Sequence, residues 1–174
     1  LALEGDSAGS LAMIDGIGDR EGGDLPRAFQ CLLIHMKGGD RERMGDLKGA
    51  RELYQRGLSL GERSTTPFYK AFDLYLLAHQ HYLLGEFDDA VKYAQQGLTI
   101  VSDSSAICGE FNTIIASVLI ERGELEEGER CLSRALARVS LQANIDMYID
   151  THLALARLRM ARGELAESLE TIVE

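Results

Sequence analysis

The stretch LGEFDDAVKYA, Leu84 to Ala94, has four counterparts: EGDSAGSLAMI from Glu4, MGDLKGARELY from Met44, RGELEEGERCL from Arg122 and RGELAESLETI from Arg162. Their glycines, Gly5, Gly45, Gly85, Gly123 and Gly163, are spaced by 40, 40, 38 and 40 residues. Five anchors at nearly one period mark a repeat architecture. An acid follows each glycine: Asp6, Asp46, Glu86, Glu124 and Glu164. Glycine suits the left-handed position that ends a helix. An acid just beyond favours the start of the next, by capping or through the dipole. The glycine–acid pair therefore predicts a tight helix–turn–helix joint.

Columns around the joint agree. Five residues after each glycine stand Ser10, Ala50, Ala90, Gly128 and Ser168; seven before stand Gly38, Ala78, Ala116 and Ala156. Two helices approach closely only where the side chains at their crossing are short. Further along, Gly57, Gly97 and Ala135 are each followed by leucine. Apolar residues between these points recur at helical spacing, as in Leu74, Leu77 and Ala78, and no stretch sustains period-two alternation. The expected fold is all-α: a right-handed superhelical solenoid of antiparallel helix pairs. It forms a single domain over 1–174, with a partial repeat at 1–24 and repeats at 25–61, 67–102, 104–141 and 143–174. The first helix is expected over about 6–15, followed by a glycine-rich loop to Asp24, and Gly38–Gly39 should kink or fray its helix. The chain starts in the tail of one helix and stops within another, which predicts a longer parent protein and end faces open to self-association.

Composition narrows the function. Eighteen Lys+Arg against twenty-eight Asp+Glu give a net charge of −10, which opposes direct nucleic-acid binding. No apolar run approaches a bilayer span, and no leader pattern opens the sequence, so a cytoplasmic protein is expected. Cys31, Cys108 and Cys131 are odd in number and lack metal-ligand spacing, as expected of reduced, buried thiols.

The repeat resembles the tetratricopeptide repeat, most fully in FDLYLLAHQHYLLGEFDDAVKYAQQGLTI, Phe72 to Ile100. The family's usual period is about 34 residues, shorter than here. The proline that often closes a unit is missing; Pro26 and Pro67 fall near helix starts instead. Phrases such as LALARLRMARGELAESLETI are similar to the helical-repeat region of MalT-like, LuxR-type bacterial transcription regulators, which senses an inducer or restrains the protein. The resemblance implies a concave groove lined by the first helix of each pair. Carried onto this chain, that groove would show His35, Arg43, Phe72, Tyr75, His79, Tyr82, Glu110, Thr113, Ser117, Glu121, Asp150, Arg157 and Met160. Phe72, Tyr75, His79 and Tyr82 share one helix face, and such an aromatic stripe either anchors a peptide or fills a narrow core.

Motifs for chemistry are thin. DGIGDREGG (Asp15 to Gly23) has Gly16-x-Gly18 but neither the third glycine at the right spacing nor a preceding strand. His79 and His81, two apart on a helix, point away from each other and cannot chelate one metal. The acidic run Glu124, Glu126, Glu127 and Glu129 reads as a solvated face, with Glu126 placed to pair with Arg130. No nucleophile elbow, cofactor motif or metal cluster emerges. The expectation is a non-catalytic protein- or peptide-binding scaffold without cofactor, the sensory or regulatory region of a bacterial regulator. The alternative is a module of another signalling protein that senses a small molecule or signalling peptide.

Overall fold

The computed structural model describes residues 6–20, 25–61, 67–140 and 145–173, and among these the only regular secondary structure is α-helix. Nine helices follow in order: α1 (Ser7–Arg20), α2 (Arg27–Arg43), α3 (Leu47–Gly61), α4 (Pro67–Leu83), α5 (Phe87–Leu98), α6 (Ala106–Glu121), α7 (Leu125–Leu136), α8 (Ile145–Ala161) and α9 (Leu165–Val173). Each glycine joint links a helix pair, α2–α3, α4–α5, α6–α7 and α8–α9. Each pair also packs on the next, through α3 on α4, α5 on α6 and α7 on α8. The first helices of successive pairs touch as well, α2 to α4, α4 to α6 and α6 to α8. They form one continuous wall.

The joints follow from local chemistry. Gly45, Gly85, Gly123 and Gly163 have φ of 81°, 74°, 77° and 82°, in the left-handed region a side chain disfavours. At each, the glycine N–H donates to the carbonyl three residues back. The following acid's N–H donates five residues back, as in Asp46 N to Arg41 O at 2.8 Å. This is the Schellman arrangement, which satisfies the last carbonyls of the first helix. The acids differ by length. Asp6 and Asp46 accept a hydrogen bond from the N–H of Gly9 (2.8 Å) and Gly49 (2.9 Å), whereas Glu86 and Glu124 make no such cap. Gly5, the fifth anchor, lies outside the described residues.

The small-residue columns form the seams. Ala50, Ala78, Ala90 and Ala116 are fully buried. A Cβ on Gly128 would lie 3.2 Å from Ile120 and 3.5 Å from the Ala116 carbonyl, and Ser168 Oγ donates to the Ala156 carbonyl at 2.9 Å. The second column packs between pairs: a Cβ on Gly97 would fall 2.0 Å from the Phe111 ring, and one on Gly57 would fall 2.3 Å from Asp73. Phe111 is buried with Leu74, Ala90, Ala94 and Ile114 in the largest apolar cluster. Exposed ion pairs tie each second helix to the next joint, Arg51 to Glu86 (2.9 Å), Asp88 to Arg122 (2.5 Å) and Glu129 to Arg162 (2.8 Å). Such pairs contribute only tenths of a kcal/mol each.

Four expectations are corrected. Helix α1 continues to Arg20, so Gly16 and Gly18 lie in a helix rather than in a glycine-rich loop; residues 21–24 lie outside the described part. The open N-terminal end face would be expected to show Leu11, Met13 and Ile14, yet Ile14 is only 3% exposed, while Met13 is 59% exposed. Helix α2 runs unbroken through Gly38–Gly39, because Gly38 admits the Tyr54 ring: a Cβ there would sit 2.1 Å from Tyr54 Cε1. Arg130 pairs with Glu127, three residues back, rather than with Glu126.

All three cysteines are free and buried, and burial pushes their thiols above the usual value. No described helix is long and apolar enough to cross a membrane.

Candidate functional site

The wall of first helices carries two adjoining hollows. One, of about 240 Å³, is bounded by Tyr75, His79 and Tyr82 of α4, Glu110, Thr113 and Ser117 of α6, and Met147, Asp150, Thr151 and Arg157 of α8. The other, of about 740 Å³, is wider and reaches α2, with His35, Glu42 and Arg43 facing Phe68, Phe72 and Tyr75 on α4 and Asp146 and Asp150 on α8. Tyr75, His79, Glu110 and Asp150 belong to both.

Eleven of the thirteen residues anticipated for a groove line these hollows: His35, Arg43, Phe72, Tyr75, His79, Tyr82, Glu110, Thr113, Ser117, Asp150 and Arg157. Glu121 and Met160 are exposed and line neither. The aromatic stripe is supported by the core and also faces the hollows. Phe72, Tyr75 and Tyr82 are half-buried and rest on the apolar cluster beneath them, while each lines a hollow.

Several lining side chains are held in place. Tyr75 contacts Phe72 on one side and His79 on the other, each at 6.0 Å between ring centroids. His79 lies between two carboxylates, 3.7 Å from Glu42 and 3.9 Å from Asp150. Arg157 donates to the Tyr82 hydroxyl at 2.5 Å and bridges α8 to α4. The hydroxyls of Thr113 and Thr151 bond at 2.9 Å, while Thr151 also donates to the Met147 carbonyl at 2.8 Å. His35 belongs more to the interior than to the open wall: its Nε2 is 2.6 Å from the fully buried Asp73. Burial pushes the Asp73 carboxyl up, and His35 offsets part of that.

Glu110 differs from its neighbours. It is 6% exposed, and its Oε2 has no hydrogen-bond partner among the described residues. Burial, helped by the negative field of Asp150, pushes its pKa up to about 8. Asp150 is itself raised by burial, with His79 opposing the shift. Such a placement favours the neutral form of the carboxyl, which a neighbouring cation would oppose.

Sequence columns missed Glu42, Met147 and Thr151. Glu42 was legible, since it stands three residues before Gly45, as Tyr82 does before Gly85. Met147 and Thr151 line the hollow where α8 packs on α6, with Thr151 bonded to Thr113. Among the described residues no cluster of His, Cys, Asp and Glu could hold a metal.

No family model matches the chain, and no curated protein matches it by sequence. A solved structure does: the crystal structure of BtubC (BKLC) from P. vanneervenii superposes with a TM-score of 0.66. It covers 95% of this chain and 69% of that one, at 17% identity. Likeness at that identity concerns the fold, and it supports an all-α chain with a helical neighbour.

Proposed function

We propose that the chain is a solenoid of tetratricopeptide-like helix pairs that acts as a non-catalytic scaffold, binding a protein or peptide along the wall formed by α2, α4, α6 and α8. The observation that carries the reading is the pair of adjoining hollows, which place half-buried aromatics and convergent polar groups on one face. Anchoring side chains of a partner enter such pockets, and a few well-packed aromatics then dominate the affinity. An elongated surface built from several helices suits an extended segment better than a compact cofactor. The further placement within a LuxR- or MalT-type bacterial regulator rests on the resemblance of the repeats.

A second reading is a small-molecule sensor, favoured by the row of buried polar groups Glu110, Thr113, Ser117 and Thr151 in the narrower hollow. That hollow is smaller than the roughly 300–1,000 Å³ typical of drug-sized ligands, but the adjoining one, of about 740 Å³, falls within that range. The preference for the scaffold reading therefore rests on the elongated surface rather than on volume. Selection of random decapeptides on the immobilised chain, followed by hydrogen exchange with an enriched peptide, tests it. Added protection confined to α2, α4, α6 and α8 is expected. Absence of any enriched peptide, or protection on α5 and α7 instead, contradicts it.

A further inference from the structure

We propose that the hollow around Glu110 receives a basic side chain, lysine or arginine, from the bound peptide, with the cationic group set against the Glu110 carboxylate. This rests on the peptide-binding reading and adds the chemistry of the anchor. Buried polar atoms in folded proteins nearly always have a partner. Glu110, 6% exposed, lines both hollows and has a carboxylate oxygen without one among the described residues. The charge around it has the sign that attracts a cation. Glu42 and Asp150 line the same surface, while its basic groups are already engaged: Arg43 with Asp40 at 2.6 Å, Arg157 with Tyr82 at 2.5 Å.

The walls fit the rest of a basic side chain. Tyr75 and Tyr82 give the hollow aromatic walls, and aromatic rings attract ammonium and guanidinium groups. Ile114 and Met147 offer apolar surface along which a long methylene stem can lie while its charged tip reaches the carboxylate. A volume of about 240 Å³ holds one such side chain. Burial without a counter-charge favours the neutral acid, whereas a cation within a few ångströms favours the carboxylate, so binding and ionisation reinforce each other.

The test uses arrays of decapeptides randomised except for a central lysine, arginine, norleucine or glutamate, probed with the wild-type chain, Glu110→Gln and Asp150→Asn. Norleucine keeps the stem and removes the charge. Lysine- or arginine-centred pools are expected to retain the wild type at least about tenfold better than norleucine-centred ones, a difference of about 1.4 kcal/mol. Glu110→Gln should reduce that preference to within about twofold without lowering the melting temperature, and Asp150→Asn should weaken it partially. Equal retention by norleucine pools would overturn the basic anchor while leaving peptide binding in place. A preference undiminished in both variants would place the cation elsewhere and overturn it too. If no pool binds, the peptide-binding reading falls, and the basic anchor falls with it.

Discussion

The seam between α4 and α5 and the wall between α4 and α6 share a helix, yet they are built on opposite plans. At the seam Ala78 meets Ala90, both fully buried, and the same crossing recurs as Ala116 with Gly128 and as Ala156 with Ser168. On the wall nothing recurs. The position thirteen residues before each glycine is Leu32, Phe72, Glu110 or Asp150, and the position six before is Gly39, His79, Ser117 or Arg157. Close helix crossings tolerate few side chains, so every unit keeps the same answer. The wall faces space, where packing imposes less and each unit is free to carry different chemistry. Repetition here traces the fold, and its failure traces the surface available for function.

Overfilling a seam should therefore produce the largest effect. Gly97→Leu must displace the Phe111 ring and is expected to destabilise by about 3 kcal/mol, at the upper end for overpacking. Ala90→Leu, at the crossing inside one pair, should lose about 1–3 kcal/mol. Chemical denaturation of both variants checks this, and wild-type midpoints would break the register of the helix pairs. A wall substitution should behave oppositely. In Glu110→Gln, removal of an ionisable group that burial holds near pH 8 relieves a burden rather than creating one.

The direction with pH follows from linkage. Between about 4.5 and about 8 the folded chain keeps a proton on Glu110 that the unfolded chain releases. That group's contribution is therefore favourable at low pH and is lost as pH rises through 8. The variant should match the parent near pH 5 and exceed it by about 1–3 kcal/mol near pH 9. A stability difference that does not change with pH would mean that Glu110 titrates as an ordinary surface acid.

Most of the seam was legible in the sequence because its constraint is steric and periodic: a column of small residues beside a glycine–acid pair leaves few other packings. The wall was legible only as a list of positions. That Phe72, Tyr75 and Tyr82 are both supported from below and exposed above depends on how far α6 and α8 stand from α4, a distance no column encodes. The Asp73–His35 pair joins α2 to α4, and its partners lie 38 residues apart with no shared motif. Gly38 shows the converse limit. Helix propensity alone assigns it a kink, whereas the Tyr54 ring packed against it from α3 keeps the helix straight.

A smaller effect concerns α9, where Leu165 and Leu169 are 62% and 66% exposed. Neighbouring exposed leucines favour association. Sedimentation over a wide concentration range should show weak self-association of this chain, reduced in Leu169→Glu. A monomer at every concentration would show that this face is not sticky.

The separation of seam from wall is tested most directly at Tyr82, which rests on the core yet holds Arg157 across the hollow. Titration of an array-selected peptide into the wild type and Tyr82→Ala, well below either melting temperature, should show affinity weakened by roughly thirtyfold, the equivalent of about 2 kcal/mol for an aromatic anchor. Unchanged affinity for that peptide in Tyr82→Ala would contradict the account.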